Sequence, residues 1–336
     1  MRKLALSDEI LLSVDKAARY IGGEVNSVMK DKNKVDIRFA MCFPDVYEIG
    51  MSNLGMMILY NMFNEREDVW AERVFSPWLD LDKIMREKEI PLFALESQEP
   101  VKEFDFLGIT LGYEMCYTNV LQVLDLSHVS LLAKDRKEDD PIVIGGGACA
   151  YNPEPIAEFF DMFYIGEGET VYDALFDAYK ANKAAGGSRK DFLFAASQIP
   201  GIYVPSLYNV TYKEDGTIAS FTPAREGVPE KVCKQLITDI TKEYRAIKAP
   251  VVPFIKATQD RVTLEIQRGC IRGCRFCQAG MIYRPTRERD VETLKASARE
   301  MLQNTGHEEI SLSSLSSSDY SELKELVNFL IEELHG

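Results

Sequence analysis

Histidine is scarce in this sequence. His128, His307 and His335 are the only three, and none lies at zinc-finger spacing from a cysteine pair. A zinc site built on imidazole is thereby disfavoured. Long apolar runs are missing too, and nothing approaches the roughly 18 consecutive apolar residues of a membrane span. The opening segment, MRKLALSDEILLSVDKAARYIGGE, is too interrupted by charge to hold a signal peptide's apolar core. Those absences predict a cytoplasmic protein with no membrane partner. Positive charge is in deficit, with 39 Lys and Arg against 53 Asp and Glu, a formal net charge of −14. Such a surface repels phosphate backbones, so nucleic acid is disfavoured as a partner, short of a local basic patch. No repeat at a solenoid period is present either.

What is present is ordinary globular composition in 336 residues, enough for about two domains. Residues 7–21 predict a helix capped by Ser7 and stopped at Gly22-Gly23. In VDIRFAMCF (35–43), Val35, Ile37, Phe39, Met41 and Phe43 alternate as a strand requires. Strand-like runs recur at 69–75, 91–95, 104–112, 141–147 and 161–166, with helical patterns between most of them. Asn152-Pro153 promises a capped helix over EPIAEFF. This alternation predicts a parallel sheet covered on both faces. The expected fold class is therefore α/β, with a helical extension over 1–34 and a doubly wound domain over 35–200. Residues 201–255 read as a hairpin turned at Asp215-Gly216 and a proline-bearing linker. Strands at 261–267 and 308–315 and helices at about 291–303 and 321–335 then give two βα units within 256–336.

Seven cysteines, an odd number in a chain able to bury a large core, suit metal or redox chemistry better than a disulfide framework. Three of them, Cys270, Cys274 and Cys277, sit in RGCIRGCRFCQAG (268–280) as C-x3-C-x2-C. A structural zinc site would want a fourth ligand, and a disulfide would leave one thiol over. Three inert core cysteines fit poorly beside Arg268, Arg272 and Arg275. The remaining reading is a four-iron cluster with three irons on thiolate and the fourth open to a chelating substrate.

CIRGCRFC, after a strand and before a helix, resembles the signature of the radical S-adenosylmethionine (SAM) superfamily, with Phe276 as the aromatic before the last cysteine. ARYIGGE, FPDVYEIGMSNLG, YEMCYTNVL, NPEPIAEFFD and IGEGE further resemble a large, functionally uncharacterised family within it that has its own N-terminal domain. The likeness covers nearly the whole chain. It implies Cys270, Cys274 and Cys277 as ligands of a [4Fe–4S] cluster, with S-adenosylmethionine on the open iron. An electron from a donor such as flavodoxin or ferredoxin would then yield a 5′-deoxyadenosyl radical. It also implies a partial (βα)6 barrel, of which only the first two βα units are found. Six would need roughly 200 residues, so the barrel is expected to be incomplete in this chain and poorly stable alone. The turn that meets the SAM amino group in the superfamily corresponds to Ser313 and Ser314, where glycine is usual.

Ligands of a doubly wound sheet sit beyond the carboxyl ends of its strands. That rim carries residues 44–53, 113–119, 145–152 and 166–169, and resembles the cobalamin-binding (Rossmann-like) domains that precede the barrel in many radical SAM enzymes. Gly145, Gly146 and Gly147 would let backbone approach the ligand. The first βα loop has no histidine to serve as a lower axial ligand. Three readings of the rim stay open: cobalamin, another small ligand, or a scaffold whose glycines only turn corners. Glu48, Glu114, Glu167 and Glu169 form a candidate acidic rim, with Cys116 and Cys149 beside it. Cys42 and Cys233 read as structural. Arg284, Arg287 and Arg289 are candidates for a SAM carboxylate or a phosphate. The expected function is a radical SAM enzyme of unknown substrate. The alternatives are a cobalamin-dependent methyl- or methylthio-transferase, and a cofactor-binding module without activity.

Overall fold

The computed structural model describes residues 4–243 and 247–335. Its centre is a six-stranded sheet: β1 (Ile37–Phe43), β2 (Val69–Phe75), β3 (Phe106–Thr110), β4 (Ile142–Gly146), β5 (Met162–Tyr164) and β6 (Ile202–Tyr203). The order is β2-β1-β3-β4-β5-β6, all parallel except β6 against β5. Alternation in β1 is a division between two cores. Phe39, Met41 and Phe43 join one buried cluster, and Ala40 and Cys42 join the other. Helices α1 (Asp8–Ser13), α2 (Tyr47–Gly50), α3 (Leu54–Glu65), α4 (Leu79–Lys88), α5 (Tyr117–Leu126), α6 (Tyr172–Ala184) and α7 (Arg189–Ala196) cover both faces. Under α3 and α6, Phe39, Phe63 and Phe176 pack edge to face, with Phe39–Phe63 centroids 4.9 Å apart. The doubly wound fold class stands as expected, with the strand order reversing between β1 and β3, but β6 falls within the stretch read as hairpin and linker and runs antiparallel.

Three local expectations are corrected. The run 91–95 is not a sheet strand. It forms one isolated bridge, Phe93 with Pro100, and then turns to deliver Glu96 to the buried side of β2. Helix 7–21 breaks after Ser13, where the Asp15 N–H donates to Asp80 at 2.8 Å, and resumes only as a short turn at Ala17–Arg19. Asn152 caps nothing, because 154–159 winds as a 3₁₀ segment with no side-chain cap.

The hairpin is present as β7 (Tyr208–Tyr212) and β8 (Ile218–Pro223). Beyond it, β9 (Val262–Glu265) leads into a short ribbon of β10 (Gln267–Arg268) with β11 (Arg287–Glu288), interrupted by α8 (Ala279–Ile282). Helix α9 (Val291–Thr305) is capped by Asp290 and stopped by Gly306, and β12 (Ile310–Ser313) returns parallel to β9. Helix α10 (Leu323–His335) completes the second βα unit. Val262, Leu264, Leu294, Ala298 and Leu326 form the small core of these two units. No helix among the described residues is long and apolar enough to cross a membrane.

The N-terminal extension is tied down by charge. Arg19 and Lys16 both donate to Glu48 in the first βα loop, at 2.8 and 2.9 Å. Burial pushes the Glu48 carboxyl up, but these hydrogen bonds outweigh it and hold it down to about 2. A depressed carboxylate stabilises the fold above its unfolded value, near 4.5, and that contribution disappears as pH falls toward 2. Glu48→Gln is therefore expected to flatten the acid arm of a stability–pH curve between about 4.5 and 2, as read by urea midpoints. An acid arm matching wild type would refute the assignment.

Candidate metal centre

The cysteine loop starts where β10 ends. Gly269 sits at φ +84°, and a Cβ there would lie 2.7 Å from the Pro285 carbonyl oxygen and 2.8 Å from that of Tyr283. Only glycine passes this point without displacing backbone. Cys270 follows at once, and Gly273, at φ +64°, turns the chain in open space before Cys274. Cys277 closes the loop through its N–H to the Cys274 carbonyl at 3.1 Å. All three thiols are free, Cys274 exposed and the other two half-buried. The Arg272 N–H points to Cys270 Sγ and the Gly280 N–H to Cys277 Sγ, each at 3.4 Å. Among the described residues, no group of three or more His, Cys, Asp or Glu side chains is drawn together as a ligand set. The chemistry of the loop nonetheless suits an iron–sulfur cluster: three soft, accessible thiols and backbone N–H groups already directed at two of them. Phe276 is 91% exposed beside them.

Ser313 ends β12 opposite Glu265, and its carbonyl accepts from the Ile266 N–H at 3.0 Å. Ser314 and Ser317 share a hydroxyl contact of 3.0 Å. The same turn supplies Asp319, which holds the Arg272 guanidinium, with Nε at 2.8 Å. The cysteine loop and the serine turn thus meet at the carboxyl ends of β9 and β12. Asp319 had no sequence signal beyond its sign.

The glycines of the N-terminal rim have local reasons. A Cβ at Gly145 would lie 2.8 Å from the Phe163 ring, and Gly147, at φ +105°, is packed against the Leu111 carbonyl. Gly146 has only the Tyr172 hydroxyl nearby, 3.9 Å from where a Cβ would stand. Helix α8 packs on the turn 148–151, so the rim meets the segment that follows Cys277. Between them lies a cleft of about 50 Å³ lined by Gly147, Tyr151, Glu167, Gln235, Ile282 and Tyr283.

The charged rim differs from expectation. Glu167 takes Arg287 at 2.7 and 2.8 Å, and Glu169 takes Arg268 at 2.5 Å. Arg289, 1% exposed, donates to Glu265 and to the Ile240 carbonyl. Arg287 and Arg289 are thereby engaged within the fold rather than open to an anion, whereas Arg284 is exposed. Cys116 and Cys149 are buried beneath the rim, and burial pushes both thiols up.

A family model for the N-terminal part of radical SAM proteins matches residues 55–205, and one for the radical SAM superfamily matches 264–336, the segment holding the cysteine loop. The chain belongs to the radical SAM superfamily. An uncharacterized protein of Methanocaldococcus jannaschii is 27% identical over 294 residues, which is 87% of this chain and 52% of that protein. This radical SAM chain thus spans about half the length of the curated relative it matches. Among solved structures, it is similar to TsrM of Kitasatospora setae, a radical S-adenosylmethionine methyltransferase. The form with tryptophan substrate and a SAM analog gives 14% identity and a TM-score of 0.47, covering 89% of this chain and 51% of that one. The form with cobalamin and a [4Fe–4S] cluster gives 12% and 0.49, covering 90% and 52%.

Proposed function

We propose that Cys270, Cys274 and Cys277 hold a [4Fe–4S] cluster whose remaining iron takes S-adenosylmethionine, and that the protein is a radical SAM enzyme. The observation that carries this is a loop of three free thiols at the carboxyl ends of two parallel strands, β9 and β12. Once reduced by an external one-electron donor and bound with SAM, such a cluster would supply the electron that cleaves the sulfonium C–S bond, giving methionine and a 5′-deoxyadenosyl radical. The chain's own part is positional. Gly269 sets the exit of the loop, Arg272 ties it to Asp319, and Ser313 and Ser314 line the neighbouring turn, where SAM would be received. Phe276 stands beside Cys277 on the solvent side.

Anaerobic reconstitution with iron and sulfide tests this reading, followed by electron paramagnetic resonance of the reduced protein with and without SAM. Wild type is expected to bind about four irons per chain and to show a signal that SAM shifts. The Cys270→Ala/Cys274→Ala/Cys277→Ala variant should lose both. Stoichiometric zinc and no iron uptake would defeat the proposal.

A second reading adds cobalamin at the N-terminal rim, for methyl or methylthio transfer. The contact of α8 with residues 148–151 favours it, because a rim ligand would lie next to the cysteine loop. The cleft between them, about 50 Å³, is far smaller than a corrinoid as it stands. Corrinoid absorbance retained through purification would support this reading. Its absence after growth on cobalamin would remove it.

A further inference from the structure

We infer that Arg268 is a positioning residue through which the N-terminal sheet holds the cysteine loop in place. This rests on the reading of that loop as a cluster site. Arg268 stands two residues before Cys270. Its Nε and Nη2 grip the two carboxylate oxygens of Glu265, each at 2.9 Å. Nη2 also reaches Glu169 at 2.5 Å, and Nη1 lies 3.4 Å from Glu167. Glu265 belongs to β9, but Glu167 and Glu169 belong to the loop that leaves β5 of the N-terminal sheet.

The partner loop is itself fixed. Gly166, at φ +146°, is pressed against Gln235, whose carbonyl oxygen would be 2.4 Å from a Cβ. The Glu167 N–H donates to that carbonyl at 3.0 Å, and the Glu167 carboxylate accepts from the Ile237 N–H and from Arg287. Arg268 and Glu169 side chains are only 10% and 9% exposed, so solvent screens this contact far less than a surface pair. Glu167, Glu169 and Glu265 face Arg268, Arg287 and Arg289, a balanced set of three charges of each sign beside the loop. Loss of Arg268 leaves an excess of negative charge there, and loss of Glu169 an excess of positive charge. The two deletions therefore have opposite electrostatic consequences although both open the same contact.

Full-length Arg268→Gln, Arg268→Lys and Glu169→Gln are compared with wild type by three measurements: amide hydrogen exchange over 268–278 in metal-free protein, iron bound per chain after reconstitution, and the reduction potential of the cluster. Arg268→Gln is expected to exchange several-fold faster in the loop and to retain several-fold less iron, with β1 exchange unchanged. Arg268→Lys keeps the charge without the fork and should recover part of both. Glu169→Gln should raise the potential and Arg268→Gln lower it, because added negative charge disfavours the reduced cluster. Loop exchange at the wild-type rate in both Arg268→Gln and Glu169→Gln overturns the inference, as do potentials that move in the same direction. Should Arg268→Gln fail to fold, Glu169→Gln, which leaves Glu265 on Arg268, carries the test. If wild type takes up no iron, the cluster reading fails, while loop exchange still decides whether the clamp exists.

Discussion

Arg73→Met is expected to destabilise the N-terminal domain by about 3–5 kcal/mol, the usual cost of stranding a buried charge partner. Arg73 lies on β2 with a fully buried side chain, and both its carboxylate partners are fully buried as well. Its backbone N–H and Nε each reach Glu96 at 2.6 Å, and its two terminal nitrogens reach Glu24 at 3.1 and 2.8 Å. The Tyr47 and Tyr60 hydroxyls donate to Glu24 and Glu96, each at 2.9 Å. Without the guanidinium, two carboxylates remain in an apolar interior with no countercharge, Glu24 on the Tyr47 hydroxyl and Glu96 on the Tyr60 hydroxyl and the backbone N–H of residue 73. Burial pushes the Glu24 carboxyl up, and Arg73 with its hydrogen bonds outweighs this and holds it below its ordinary value. In Arg73→Met the balance reverses and Glu24 is expected to take up a proton on folding. Arg66→Met is the control. Arg66 also pairs with several carboxylates, but Asp173 and Asp177 are more than half exposed and Asp68 keeps Lys180 as a partner, so its loss should cost no more than about 1 kcal/mol. Urea unfolding followed by circular dichroism reads both. Equal midpoint shifts in the two variants would show that burial of the Arg73 network contributes nothing special.

That network also shows where the sequence is legible and where it is not. The alternation of Phe39, Met41 and Phe43 announces β1, because the period of a strand is local and each face meets a different core. The run PLFAL looks the same by composition, yet it is apolar because Leu92, Phe93 and Ala94 fill one buried cluster and Leu95 the other, not because it pairs in the sheet. Nothing local separates those two causes. The same limit governs the candidate metal centre. C-x3-C-x2-C lies within eight residues and could be read directly, as could the strand before it and the helices after it. The clamp on Arg268 could not, since Glu169 lies 99 residues earlier in the chain. In sequence, the carboxylates of GEGE read as rim groups facing a ligand, and Arg287 and Arg289 as anion receivers. In the fold these groups satisfy one another. Charge pairing across a domain contact carries no spacing rule, so only the tertiary structure assigns the partners.

Gly269→Ala and Gly273→Ala should separate two glycines that look equivalent in RGCIRGC. Both have positive φ, so either substitution incurs about 1–2 kcal/mol of left-handed backbone strain. They differ in what surrounds them. At Gly273 the nearest atom to a new methyl is Arg284 Nη2 at 4.0 Å, the end of a flexible side chain. At Gly269 the methyl meets the Pro285 and Tyr283 carbonyl oxygens at 2.7 and 2.8 Å and Thr286 Cα at 2.9 Å, all backbone. Relief there requires the strand exit or segment 283–286 to move, and Cys270 is the next residue. A displacement costing even 1.4 kcal/mol in the loaded state weakens cluster retention tenfold. Gly269→Ala is therefore expected to hold at least about tenfold less iron after desalting, whereas Gly273→Ala should stay within tenfold of wild type. Gly273→Asn should do better than Gly273→Ala, because asparagine tolerates the left-handed region, while Gly269→Asn should be as poor as Gly269→Ala or worse. Iron and sulfide per chain after identical anaerobic reconstitution give the comparison. Comparable losses at both positions would mean that φ alone, not the crowding by 283–286, fixes the entry to the cysteine loop.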